Sequence, residues 1–134
     1  MKIRSDFVTN SSSSSFISVF AKIKDKEKAG EIIKKQGLEK CIFSNAKLQK
    51  MKENDFGKCL SNNGLDLAQV KEDSEWYDLF LLWEDYEDIG YWEDDYSKFD
   101  ISDFSMTSQT IFNSISEENG FEVISSGFWA GYNG

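Results

Sequence analysis

Hydrophobic and polar positions divide this chain into short, readable elements. Phe16-Ile17-Ser18-Val19-Phe20-Ala21-Lys22-Ile23 has the alternation of a strand, with Ile17, Val19, Ala21 and Ile23 on one face and Ser18 and Lys22 on the other. The pattern then shifts to helical spacing. Asp25 is placed to cap a helix over 26–36, with Ala29, Ile32 and Ile33 as its apolar stripe and Gly37 as its end. Cys41-Ile42-Phe43 reads as a short strand, and Asn45 as the cap of a helix over about 46–53 that carries Leu48 and Met51. Asn62-Asn63-Gly64 is a turn signal, because both residue types tolerate positive φ.

The second half opens on the most apolar run, Trp76-Tyr77-Asp78-Leu79-Phe80-Leu81-Leu82-Trp83, which predicts a central buried strand, with a short helix as the alternative. Acidic residues follow, as a loop or an edge hairpin around Gly90. Phe104, Ile111, Phe112 and Ile115 then recur at helical spacing, predicting a helix over about 104–118, capped by Ser102 or Asp103 and ended by Gly120. Phe121-Glu122-Val123-Ile124 reads as a last strand. The aromatic, glycine-rich tail 127–134 either covers the core or makes an outward contact. These elements predict a single α+β domain over 1–134: a small sheet of about three to five strands, antiparallel or mixed, with two or three helices on one face. The serine-rich segment 1–15 is expected to be flexible, since serine hydroxyls compete for backbone hydrogen bonds.

Composition narrows the chemistry. With 134 residues and twenty aromatics the chain can bury a real core, and it does not have the make-up of a disordered one. It contains no histidine, which removes Ser-His-Asp and Cys-His nucleophile systems and His-bearing zinc sites. Neither a Walker-type loop nor a dinucleotide fingerprint is present. Cys41 and Cys59 are too few for a disulfide scaffold. Neighbouring lysines can lower a thiol pKa, but two ordinary reduced cysteines of a cytoplasmic protein are the simpler reading. No apolar run reaches the roughly 20 residues of a transmembrane helix.

Charge changes the picture most. Residues 72–103 hold thirteen acids and one base, whereas residues 1–71 carry a net +6 and residues 104–134 carry −3. Within the acidic window, Trp83-Glu84-Asp85-Tyr86 is echoed nine residues later by Trp92-Glu93-Asp94-Asp95-Tyr96. Two hairpin strands around Gly90 would set these copies side by side. The candidate partner-binding residues are Trp83, Glu84, Asp85, Glu87, Asp88, Trp92, Glu93, Asp94, Asp95 and Tyr96, with the acids supplying charge and the aromatics supplying anchors.

Several uses of this window compete. It can be a solvated loop pinned by its aromatics. It can be a nucleic-acid decoy, since carboxylates at i and i+2 on a strand stand ~6.6–7 Å apart, near the spacing of successive phosphates. It can be a plain docking face for a basic protein, such as a nuclease or another nucleic-acid-binding protein. The twelve-residue EF-hand register from Asp85 to Tyr96 places Glu87, Gly90 and Glu93 well, but fails at Ile89 and Tyr96; a looser site would use Asp94, Asp95 and Asp100. A small carboxylate enzyme or metal-binding domain is the alternative function, and a structural or assembly protein contacting through 127–134 a third. No catalytic residue, metal ligand or cofactor is assigned. Neither direct nucleic-acid contact nor a membrane is expected, while the opposed charge halves allow attraction within one molecule or in a homodimer.

The string from Met1 to Ile17, with its core Phe7-Val8-Thr9-Asn10-Ser11-Ser12-Ser13-Ser14-Ser15-Phe16, resembles the start of many small uncharacterised proteins of phages and mobile elements of Gram-positive anaerobes. The resemblance covers residues 1–17 and carries no activity and no functional residue. It implies a phage accessory protein, a class whose small acidic members are similar to antagonists of host defence such as anti-CRISPR proteins.

Overall fold

The computed structural model describes residues 13–52, 66–74, 78–87 and 100–132. Four strands, β1 (Ser13–Ile23), β2 (Ile42–Ser44), β3 (Leu79–Glu87) and β4 (Phe121–Tyr132), form one antiparallel sheet in the order β2-β3-β1-β4. Among the described residues four α-helices accompany them: α1 (Lys26–Gln36), α2 (Asn45–Lys50), α3 (Leu67–Asp73) and α4 (Met106–Ser114). The fold is α+β, as the periodicities imply. Among the described residues no helix is long and apolar enough to cross a membrane.

The alternation in β1 sets the two faces. Ile17, Val19, Ala21 and Ile23 share one core with Leu81 and Trp83 of β3, Ala29 of α1, Ile111 of α4, and Phe104, Ile115 and Phe121. Phe20 turns the other way and joins Phe43, Phe80, Leu48 of α2, and Leu67 and Val70 of α3. The helices therefore lie against both faces rather than gathering on one. Phe20, Phe43 and Phe80 make the second face as apolar as the first, so it also needs cover. Ser18, on that second face, is fully buried, and among the described residues its hydroxyl has no hydrogen-bond partner.

Local signals explain most boundaries. Asp25 accepts from the N–H groups of Glu27 and Lys28 at the start of α1, and Gly37 ends it with φ 68°. The N-cap of α2 is Ser44 rather than Asn45, and the helix stops at Lys50. The helix expected over about 104–118 is shorter: Asp100 caps a 3-10 turn at Ile101–Asp103, and Ser105 caps α4. A second 3-10 turn at Glu117–Asn119 ends on Gly120 at φ 90°. Helix α3 was not foreseen, although Asp66 caps it and Leu67 and Val70 are its buried positions.

Two further departures matter for function. Ser13–Ser15, assigned to a flexible leader, belong to β1 and pair with Tyr132, Gly131 and Ala130. Serine's weak strand preference is overridden here by pairing with β4, joined at Ser15 by pairing with Glu87 of β3. The aromatic tail is the second half of β4, running in register beside β1 to Tyr132. The Asn62-Asn63-Gly64 turn and the Gly90 hairpin lie outside the described residues.

Candidate functional site

The described part of the acidic window is the distal half of β3. This strand starts at Leu79, three residues after the apolar run begins, and continues through Glu87. Its acidic end is held by β1, with Ser18 opposite Glu84, Ile17 opposite Asp85, Phe16 opposite Tyr86 and Ser15 opposite Glu87. The acids at 84–87 therefore stand on a strand paired along one side with β1, not on a loop.

Strand pleating sends these side chains to opposite faces. Trp83, Asp85 and Glu87 point to the α1/α4 side, whereas Glu84 and Tyr86 point to the other. Trp83 is 8% exposed and packs in the core with Val19. It is consumed by folding, which corrects its assignment as a partner anchor. Tyr86 is the exposed aromatic instead, at 64%, with its ring centroid 6.2 Å from that of the partly buried Phe16. Phe16, Glu84, Asp85 and Tyr86 together line a shallow depression of about 210 Å³.

Glu87 is also committed. Its Oε1 accepts the backbone N–H of Ser105 at 2.8 Å, and its Oε2 accepts both the Ser105 hydroxyl and the Ser108 hydroxyl at 2.8 Å. Ser105 Oγ in turn accepts the N–H of Ser108 at 3.2 Å. The carboxylate thus completes the N-terminus of α4, where donors are unsatisfied and the dipole favours negative charge. Ser108 has one hydroxyl hydrogen, so its 3.4 Å approach to Asp85 Oδ2 is secondary to the bond with Glu87. Asp85 Oδ1 accepts the N–H of Tyr86 at 2.8 Å.

The decoy geometry is not built by this stretch. Asp85 and Glu87 are the i, i+2 pair, but Glu87 is occupied by α4, and the residue two beyond Glu84 is Tyr86. Glu84 and Asp85 remain as exposed carboxylates, one per face. Asp88, Trp92, Glu93, Asp94, Asp95 and Tyr96 lie outside the described residues. Asp100, considered for a looser cation site, accepts from the Ser102 N–H and hydroxyl and caps its 3-10 turn. Those bonds from Ser102 hold its carboxyl below the usual range. No cluster of three or more metal-ligating side chains occurs among the described residues.

Burial by itself would raise the Glu87 pKa; the hydrogen bonds from the Ser108 side chain and from the backbone and side chain of Ser105 outweigh it, leaving the group below its ordinary 4.5. A carboxyl depressed in the native state stabilises the fold above the unfolded pKa, and that contribution is lost as pH falls through the native value. Glu87→Gln should therefore cost about 1–2 kcal/mol at pH 7, with little difference from wild type once the pH is well below 4. Urea unfolding of both proteins between pH 3 and 7 checks this; equal stability at pH 7 would show that the cap contributes nothing.

Elsewhere the two charge halves also meet. Lys26 stands 3.8 Å from Asp78, and both side chains are exposed. Lys22 and Lys24 pair with Glu122 of β4 at 3.4 and 3.5 Å. Burial pushes the Cys41 thiol up, the reverse of activation by nearby lysines. Cys59 lies outside the described residues. Sequence reasoning placed Tyr86 in the acidic echo but not among the anchors, and it missed Phe16, Ser105 and Ser108 as parts of this region. A serine immediately before the helical stretch from Met106 was the available signal for the cap. No family model matches the chain, and comparison with curated proteins and with solved structures finds no match.

Proposed function

We propose that this chain is a non-enzymatic acidic binding protein that occupies a basic, nucleic-acid-handling surface of another protein, as a phage-encoded antagonist of host defence would, and that it acts in the cytoplasm. The observation that carries this reading is the exit of β3 from the core. Glu84 and Asp85 are exposed there beside the exposed Tyr86, and the sequence continues directly into the rest of a thirteen-acid window. A surface of this sign accelerates encounter with a basic partner and gives way to salt, because exposed charges are screened beyond ~10 Å at 0.1 M. The absence of histidine and of catalytic motifs in the sequence agrees with a role in binding rather than turnover.

The structure dictates how to test it. Glu87 and Trp83 must be kept, since one caps α4 and the other fills the core. The informative variant reverses Glu84, Asp85, Asp88, Glu93, Asp94 and Asp95 to lysine. In a pull-down from lysate of the source cell, wild type should capture a nuclease or other nucleic-acid-binding protein and release it at high salt. The folded reversal variant should lose at least several-fold in affinity, mostly through on-rate. Equal capture by both proteins would remove the acidic window from the function.

A further inference from the structure

β4 closes one side of the sheet, and among the described residues β1 is its only strand neighbour. The strand at the other side, β2, is three residues long, and shortness is one way that sheets protect an edge. β4 is twelve residues long. Its register with β1 breaks once: Phe20 pairs with Ser125 and Ala21 with Val123, which leaves Ile124 as the extra residue of a bulge. Past that bulge, residues 125–132 pair without interruption with residues 13–20. The same stretch therefore runs extended along the outside of the sheet, where alternate N–H and C=O groups point away from β1.

This stretch lacks the chemistry that blunts an edge. Residues 123–132 contain no charged side chain and no proline. Glu122, just before them, is held by Lys22 and Lys24 at 3.4 and 3.5 Å. Val123 is exposed beside the bulge at 37%. The whole chain carries a net charge of −9, so an uncharged edge is where two copies can meet without setting like charges against each other.

We propose that β4 pairs antiparallel with β4 of a second copy through residues 125–132, joining the two sheets into one about a twofold axis. Such a contact requires only that the stretch be complementary to itself. Antiparallel pairing within 125–132 opposes uncharged residues to uncharged residues in every register. A ladder of this length makes about eight backbone hydrogen bonds, within the range of about 5–15 that a specific interface carries. The strand order places the two acidic β3 strands five strand spacings apart, roughly 24 Å. That is more than twice the ~10 Å screening length at 0.1 M salt, so the acids oppose pairing only weakly. The inference does not depend on the acidic end of β3 or on the function proposed for it.

Sedimentation of the full chain between about 1 and about 200 μM should show a monomer–dimer equilibrium. The dimer should tighten as salt rises, because salt screens repulsion between copies of like net charge. Capture of a basic partner by the acidic window has the opposite salt dependence, so the two proposals fail separately. Hydrogen exchange of wild type locates the contact without any variant: alternate amides within 125–132 should gain at least ten-fold protection from the dilute to the concentrated sample. Ser126→Lys puts a charge at an exposed position of the edge and should weaken dimerisation at least ten-fold. Ala46→Lys, exposed on α2, makes the same change of charge away from the edge and should leave dimerisation unchanged. The proposal is overturned by a wild type that stays monomeric over this range, by protection within 125–132 that ignores concentration, or by a dimer that loosens with salt. It is equally overturned if Ser126→Lys dimerises like wild type, or if Ala46→Lys loses as much as Ser126→Lys.

Discussion

Phe80→Ala is expected to destabilise the fold by about 3–5 kcal/mol, the usual cost of truncating a fully buried phenylalanine. Phe80 is 0% exposed on β3, an interior strand of the sheet, and its ring is central to the core beneath α2 and α3. It stacks on Phe20 at 5.9 Å and on Phe43 at 5.8 Å, so truncation removes two aromatic contacts along with the ring's own burial. Leu48, Leu67 and Val70 come from two short helices that bury little else, and their collapse into the space would displace both. Against a total stability of about 5–15 kcal/mol, a loss of this size moves the denaturation midpoint far toward water. Phe80→Leu, which keeps most of the volume, should cost no more than about 1.5 kcal/mol. Urea unfolding of the three proteins measures this directly. A loss below 1 kcal/mol for Phe80→Ala would mean that the stack contributes little.

The second large effect is at a glycine. Gly120→Ala should cost about 2–4 kcal/mol, for two reasons that act together. Its φ of 90° is a conformation that L side chains rarely adopt. A Cβ there would also stand 2.8 Å from the carbonyl oxygen of Asp25 and 3.1 Å from the amide nitrogen of Ala29. Neither neighbour can move cheaply. Asp25 is the N-cap of α1, and the N–H groups of Lys24 and Asp25 both donate to the Gly120 carbonyl, at 2.9 and 3.0 Å. The junction ties the start of α1 to the start of β4, so strain there loosens two elements. Gly30 is the contrast: it lies within α1 with nothing within 4 Å of a Cβ, and Gly30→Ala should stabilise by about 0.5–1 kcal/mol. Thermal melts of the two variants should shift in opposite directions; a shift in the same direction would contradict this account of the junction.

What could be read from the sequence follows from where local and tertiary signals agree. Residues Ile17, Val19, Ala21 and Ile23 alternate because one face of β1 is buried, and the core confirms that face. The Asp25 and Gly37 caps gave α1 its observed bounds, since capping depends on adjacent residues alone. The run from Leu79 to Trp83 has the apolar density of a strand covered on both sides, which is where β3 sits.

The misses have a common cause in tertiary pairing. Residues 84–87 and 13–15 are polar and look like loop, yet residues 15–18 of β1 hold the first segment extended and residues 130–132 of β4 hold the second. The same pairing turns the glycine-rich tail into β4. The site suffered most: once β3 extends through the acids, pleating decides which side chains emerge. It buries Trp83, lends Glu87 to α4 and presents Tyr86, and no composition argument separates these neighbours. Their fates depend on α4, eighteen residues onward from Glu87 at its cap.

The measurement that bears most directly on the proposed function is displacement. A labelled oligonucleotide is bound to the nucleic-acid-handling protein captured by wild type, and its anisotropy is followed as this chain is added. Wild type should release the oligonucleotide stoichiometrically at low salt, and the lysine-reversed variant that retains Glu87 should do so only at several-fold higher concentration. An oligonucleotide that stays bound while wild type also binds would show that the acidic surface does not occupy the nucleic-acid site, and would contradict the account.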